Sequence, residues 1–170
     1  MKIHLKLPES LLAAITAHLR QPHSVAFERV GFVACVGGNT PDGIVLLGRS
    51  FHPVRDEDYE ADELVGARIS SGAVQSALAL AYAKSQSMLF VHEHGHKGKP
   101  HPSRVDLDCW RELIPNFWHV RPELPHGGLI LSEDNAMGIV WVPCQTDVFP
   151  ISKFTVVGRH LEQWSEEAHV

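Results

Sequence analysis

Cysteine is scarce in this chain: Cys35, Cys109 and Cys144 are the only three in 170 residues, and none forms a Cys-x-x-Cys pair. That excludes a disulfide framework and a cysteine-rich structural zinc site, so any metal must be held by histidine and carboxylate. Basic residues are outnumbered, 15 Lys and Arg against 20 Asp and Glu, a formal net charge of −5. With no basic field to displace counterions from a phosphate backbone, nucleic acid is not an expected partner. No run approaches the ~18 apolar residues that span a bilayer, and MKIHLKLPESLLAAITAHLR lacks an apolar leader with a small-residue cleavage site. The expectation is a cytoplasmic chain with no membrane partner. Repeats and low-complexity linkers are missing too. With 44% hydrophobic and 21% charged residues the composition is globular, and the length suits one domain over residues 1–170.

What the chain does have is histidine, twelve in all. Around them the pattern reads as mixed strands and helices. Ile3, Leu5 and Leu7 alternate with Lys2, His4 and Lys6 as in a half-buried strand, and Pro8-Glu9 opens a helix whose buried stripe is Leu12, Ile15 and Leu19. Residues 28–36 and 43–52 read as an antiparallel hairpin around the turn-forming GGNTPD. DEDYEADE, 56–63, holds six acidic residues in eight and is expected to be a solvated loop. Ser70-Ser71 caps a helix to about Lys84, with Val74, Ala77, Leu78, Ala81 and Tyr82 on one face. SMLFV, 87–91, is a continuous apolar run, as in a strand buried on both faces. A further helix, 103–114, presents Leu107, Trp110, Leu113 and Ile114 and is expected to stop at Pro115. Strands near 128–131, 137–142 and 153–157 follow. Trp110, Trp118, Trp141 and Trp164 read as core or interface anchors.

Four histidines fall within HEHGHKGKPH, 92–101, directly after the buried strand. In an extended segment residues i and i+2 point to one side, so His92 and His94 project together. An oxygen from Asp106 gives three protein ligands and leaves a fourth position for water, the donor set of a catalytic zinc site. Amide hydrolysis there also needs a carboxylate to move protons and a donor for the oxyanion, and Glu28 and Ser103 supply those residue types. Each piece has a plainer reading: Ser103-x-x-Asp106 is also a helix capping box, and Glu28 also suits the solvent face of a strand. His96 and His101 lie in the same loop, as supporting groups or as an alternative ligand. The other histidines, His4, His18, His23, His52, His119, His126, His160 and His169, have no ligand spacing.

Glu28 in ERVGFVACVGG, His92-Glu93-His94, Ser103 and Asp106 together resemble the JAMM (JAB/MPN+) zinc metalloproteases, with an upstream Glu, then His-x-His, about seven residues and Ser-x-x-Asp. PHPSRVD is also similar to a segment of the RadC group. Here eight residues, Gly95 to Pro102, separate His94 from Ser103, and Gly95 stands where many members have Pro. The alternative register, His94 and His96, leaves six. The resemblance implies an α+β (α/β/α-like) MPN/JAB fold, cytidine-deaminase-like, with a curved mixed sheet flanked by helices. It implies zinc on His92, His94 and Asp106, Glu28 as general base and acid, and Ser103 at the oxyanion. The implied activity is an isopeptidase or deubiquitinase acting after the tail of a ubiquitin-like protein, as in small bacterial single-domain members. An inactive MPN scaffold that only binds proteins, or a hydrolase of small conjugates, are the alternatives.

Overall fold

The computed structural model describes residues 1–145, 147–158 and 162–165, the last four by backbone alone. His160, His169 and the side chain of Trp164 therefore lie outside the described residues. In chain order the elements are β1 (Lys2–Pro8), α1 (Glu9–Leu19), β2 (Val30–Thr40), β3 (Gly43–Pro53), a single 3-10 turn (Asp56–Asp58), β4 (Tyr59–Glu60), β5 (Arg68–Ile69) and α2 (Ser71–Lys84). There follow β6 (Ser87–Glu93), α3 (Arg104–Val120), β7 (His126–Leu131), β8 (Ala136–Trp141), β9 (Val148–Val157) and β10 (Glu162–Ser165).

The sheet runs β1-β3-β2-β6-β7-β8-β9, and β9 pairs back onto β1. Seven strands thus close a mixed barrel, which corrects the expected α+β MPN/JAB architecture of a curved sheet flanked by helices. Closure depends on β9 being long: Val148 to Pro150 pair with β8, and Ile151 to Val157 lie parallel to β1. An open sheet would leave the backbone groups of β1 and β9 unpaired; closing removes both edges. β10 adds outside, antiparallel to β9.

Alternation along the strands sorts two cores. Ile3, Leu5, Val33, Leu89, Val91 and Leu129 pack on one side with Ile15 and Leu19 of α1. Phe32, Met88, Phe90 and Ile130 face the other side, under Ala73, Ala77 and Ala81 of α2 and Trp110, Ile114 and Phe117 of α3. β6 lies between the two, which is why its run is apolar without alternation. Of the expected α2 stripe, Val74, Ala77, Leu78 and Ala81 pack on this core, joined by Ala73, while Tyr82 is exposed and carries the Arg121 guanidinium over its ring. Trp110, fully buried, lies flat on Gly128 of β7, where an added Cβ would meet the indole at 2.0 Å. Trp118 and Trp141 are half-buried.

Three local expectations change. Pro115 does not stop α3; the helix continues to Val120 because Phe117 is fully buried against Phe32 and stacks on His126. Proline removes the donor that would meet the Arg111 carbonyl, and one residue on, the Asn116 Nδ2 adds bonds to the carbonyls of Glu112 (2.9 Å) and Leu113 (3.2 Å) in the same turn. The acidic run is not simply solvated: Tyr59 is buried, and Tyr59 and Glu60 pair with Ile69 and Arg68. Its charges are partnered, Asp56 by Arg29, Glu57 and Asp58 by Arg55, and Glu60 and Asp62 by Arg68. Finally, β2 begins at Val30, so Glu28 lies on the segment entering the strand and not in the sheet.

Candidate metal centre

Period-2 geometry divides the end of β6 between the two layers. His92 and His94 share the side of Met88 and Phe90 and face α3, while Glu93 points toward α1, where Arg20 binds it at 2.7 and 2.8 Å. The β6 end is also held by the His94 amide, which donates to the Leu131 carbonyl at 2.8 Å. Asp106 is brought in by the start of α3. Ser103 is its N-cap: Oγ accepts the Asp106 amide at 3.1 Å, and Asp106 Oδ2 accepts the Ser103 amide at 2.7 Å. Trp110, one turn on, seats this face of the helix on β7, so the Trp110–Gly128 contact carries Asp106 toward β6.

The His92 and His94 Nε2 atoms lie 3.1 Å apart, Asp106 Oδ1 is 3.1 Å from His92 Nε2, and Oδ2 is 3.7 Å from His94 Nε2. Tetrahedral zinc with bonds of 2.0–2.2 Å separates its donors by about 3.3–3.5 Å, and these separations lie near that spacing, with Asp106 meeting each histidine through a different carboxylate oxygen. On another side a Glu28 carboxylate oxygen joins a nitrogen from each histidine in a group within 4.8 Å of one another. His92 is buried, and His94, Asp106 and Glu28 are half-buried, so the group is walled by protein and open to a ligand.

The electrostatics differ among the four. Burial opposes the charge of Asp106, but the contacts with His92 and the Ser103 bonds outweigh it and bring its pKa down to about 2. Glu28 is pushed up, first by burial, with opposing influences from His92 and Asp106. His94 is pushed down by burial and by its histidine neighbours. The site therefore offers a His94 nitrogen favoured in its neutral form and an ionised Asp106 carboxylate, beside a second carboxylate with raised proton affinity.

His96 is exposed, its ring 6.0 Å from that of His94, and its Nδ1 is bonded to the Lys97 carbonyl at 2.9 Å. His101 is exposed. The structure thus gathers His92 with His94, and leaves His96 and His101 outside the gathered donors.

Several residues that shape the site carry no sequence signal. His23 is buried, stacks on Tyr59, and its Nδ1 accepts the amides of Val25 and Ala26. Arg29 donates to the Gln21 and Pro22 carbonyls and to Asp56, and the Tyr59 hydroxyl accepts the Val30 amide at 2.8 Å. Together they fold the 21–29 segment that delivers Glu28. A cleft of about 550 Å³ lies between α3 and the 62–69 segment, lined by Phe90, Val74 and Leu113 and by the charged Asp62, Arg68, Asp108 and Glu112.

No protein-family model matches the chain, and no curated protein is similar enough to count as a relative. Among the described residues no helix is long and apolar enough to cross a membrane. The three cysteines are free thiols.

Proposed function

We propose that this protein is a zinc-dependent hydrolase that cleaves an amide or isopeptide bond, a JAMM-type metallopeptidase by its motif. The observation that carries the reading is the convergence of His92 and His94 with a Glu28 carboxylate oxygen, all within 4.8 Å of one another, and with Asp106 in contact with both histidines. Two nitrogens and an ionised carboxylate hold zinc. When bound, the metal polarises the scissile carbonyl and acidifies water. Glu28 takes the proton of the attacking water on its carboxylate and hands it to the leaving amine; burial, which raises its proton affinity, suits it to both steps. The Ser103 hydroxyl sits at the end of α3 beside Asp106 and supplies a donor for the oxyanion, while its lone pair caps the helix.

The substrate we propose is the C-terminal tail of a ubiquitin-like protein, in processing or deconjugation. A cleft with an apolar floor and a charged rim of Asp62, Arg68, Asp108 and Glu112 supports a tail bearing apolar and charged side chains. Free thiols and the absence of a Cys-based framework support a cytoplasmic setting.

The test is a zinc-replete assay on ubiquitin-like proteins carrying C-terminal extensions or isopeptide-linked lysines, with a chelator control and the Glu28→Gln variant. Expected are chelator-sensitive cleavage and a Glu28→Gln protein that keeps zinc but loses turnover by about 10²–10⁴-fold. Zinc-free protein, or cleavage that ignores both chelator and variant, overturns the reading. Zinc with specific binding of such a protein and no cleavage identifies the scaffold instead.

A further inference from the structure

We infer that Gly66 is the positioning residue for the Glu28 carboxylate, through direct contact; this rests on Glu28 being the proton-transfer group proposed above. Glu28 precedes β2, so the sheet does not orient it. Its amide and that of Phe27 both donate to the Gly66 carbonyl, at 3.1 and 2.9 Å. The segment between β4 and β5 therefore sets where the Glu28 side chain begins.

The same residue sets where that side chain ends. A Cβ built on Gly66 would lie 2.1 Å from Glu28 Oε1, 2.5 Å from Cδ and 2.9 Å from Cγ, so the Gly66 α-carbon forms one wall of the carboxylate's site. The same carboxylate has an oxygen within 4.8 Å of a ring nitrogen of both His92 and His94. Gly66 has no left-handed backbone, which among the described glycines with positive φ belongs to Gly43 and Gly98. Its glycine is needed for space and not for conformation, so alanine at 66 probes the contact without backbone strain.

The wall is stiff. The 61–67 segment is closed at its base by the Tyr59–Ile69 and Glu60–Arg68 pairing, and Asp62 bonds both the Leu64 amide (2.9 Å) and Arg68 (3.0 Å). A Cβ at 66 is thus relieved by moving Glu28 rather than the loop.

The experiment is a mutant cycle on the full chain: Gly66→Ala, Glu28→Ala, the double variant, and Gly38→Ala as control, since a Cβ at Gly38 meets nothing within 4 Å. Expected is a fall in Tm for Gly66→Ala in the native background that vanishes in the Glu28→Ala background. An equal fall in both overturns the contact. If Gly66→Ala fails to fold, a folded double variant supports the inference, and an unfolded double beside a folded Glu28→Ala overturns it. In the Co²⁺-loaded protein, the visible spectrum of Gly66→Ala should match that of Glu28→Gln, with metal stoichiometry unchanged; a spectrum like the native one overturns the positioning role. Turnover of the extended ubiquitin-like probe should drop about 10²-fold in kcat with KM held within about threefold. Native turnover by Glu28→Gln removes the general-base reading instead, and leaves the Tm cycle to decide the contact by itself.

Discussion

His92 Nε2 and Asp106 Oδ1 lie 3.1 Å apart, one on the last turn-out of a buried strand and the other in the first turn of a helix on the far side of an exposed loop. The contact joins two elements whose positions are set elsewhere, β6 by its neighbours β2 and β7, and α3 by Trp110 on Gly128. Asp106→Ala should therefore leave the fold intact and abolish stoichiometric zinc, read by metal analysis of purified protein. Asp106→Asn, which keeps the shape but not the charge, should bind zinc far more weakly than the native chain. Full zinc content in both variants would remove Asp106 from the ligand set.

Ser103 performs one structural task and one proposed chemical task with different atoms of a single hydroxyl. Loss of an N-cap costs about 0.5–2 kcal/mol, while loss of an oxyanion donor costs about 10²–10³ in rate. Ser103→Ala should show both, as a lower urea midpoint and a fall in kcat with zinc retained. Ser103→Asn or Ser103→Asp, good caps without a hydroxyl, should recover the stability and not the rate. Recovery of rate by either variant would reduce Ser103 to a cap.

The helices and the His92–His94 segment are legible because their signals are local. Ser70 and Ser103 cap helices where the capping pattern places them, and the side alternation of His92, Glu93 and His94 follows from extended backbone. What escaped the pattern is contact between distant parts of the chain. Barrel closure needs β9 beside β1, and neither strand's alternation names its partner. Pro115 obeys a local rule that the burial of Phe117 overrides. Gly66 and Arg20 sit in unremarkable sequence and act through Glu28 and Glu93, which only the fold brings near them. The spacing of the site motif could be read; the sheet architecture around it could not.

His126 has no ligand spacing, yet it ties β7 to β6. It is fully buried: its Nδ1 accepts the Met88 amide at 3.1 Å, and its Nε2 donates to the Arg121 carbonyl at 3.2 Å. The neutral ring satisfies both partners, and burial pushes its pKa down to about 4 from an ordinary 6.5. Above pH 6.5 neither folded nor unfolded chain is protonated there, and the group gives no pH dependence. As the pH falls from 6.5 to about 4 the unfolded chain takes a proton that the folded chain refuses, so stability should drop by up to ~3 kcal/mol. His4, His18 and His52, also lowered by burial, act in the same sense. Urea melts between pH 7.5 and 4.5 should show this slope, flattened in His126→Asn; an unchanged slope in the variant would exclude His126 as its source.

Glu93 lies between His92 and His94, the two histidines proposed as zinc ligands, and its side chain is 6% exposed against 52% for its partner Arg20. Exposed ion pairs contribute little, but a buried carboxylate stripped of its cation keeps its desolvation penalty. Arg20 closes α1, and its guanidinium grips Glu93 with both Nε and Nη2. Arg20→Ala should therefore cost about 1–3 kcal/mol, more than an ordinary surface substitution, because it leaves Glu93 buried and unpaired. It should also weaken zinc binding, since strain relieved at Glu93 is relieved by moving the strand end that carries His92 and His94. Adding Glu93→Gln to Arg20→Ala removes the orphaned charge and should restore most of the stability and the zinc affinity. A double variant no better than Arg20→Ala in both measurements would mean that the pair acts only as a surface contact, with no hold on the strand that carries His92 and His94.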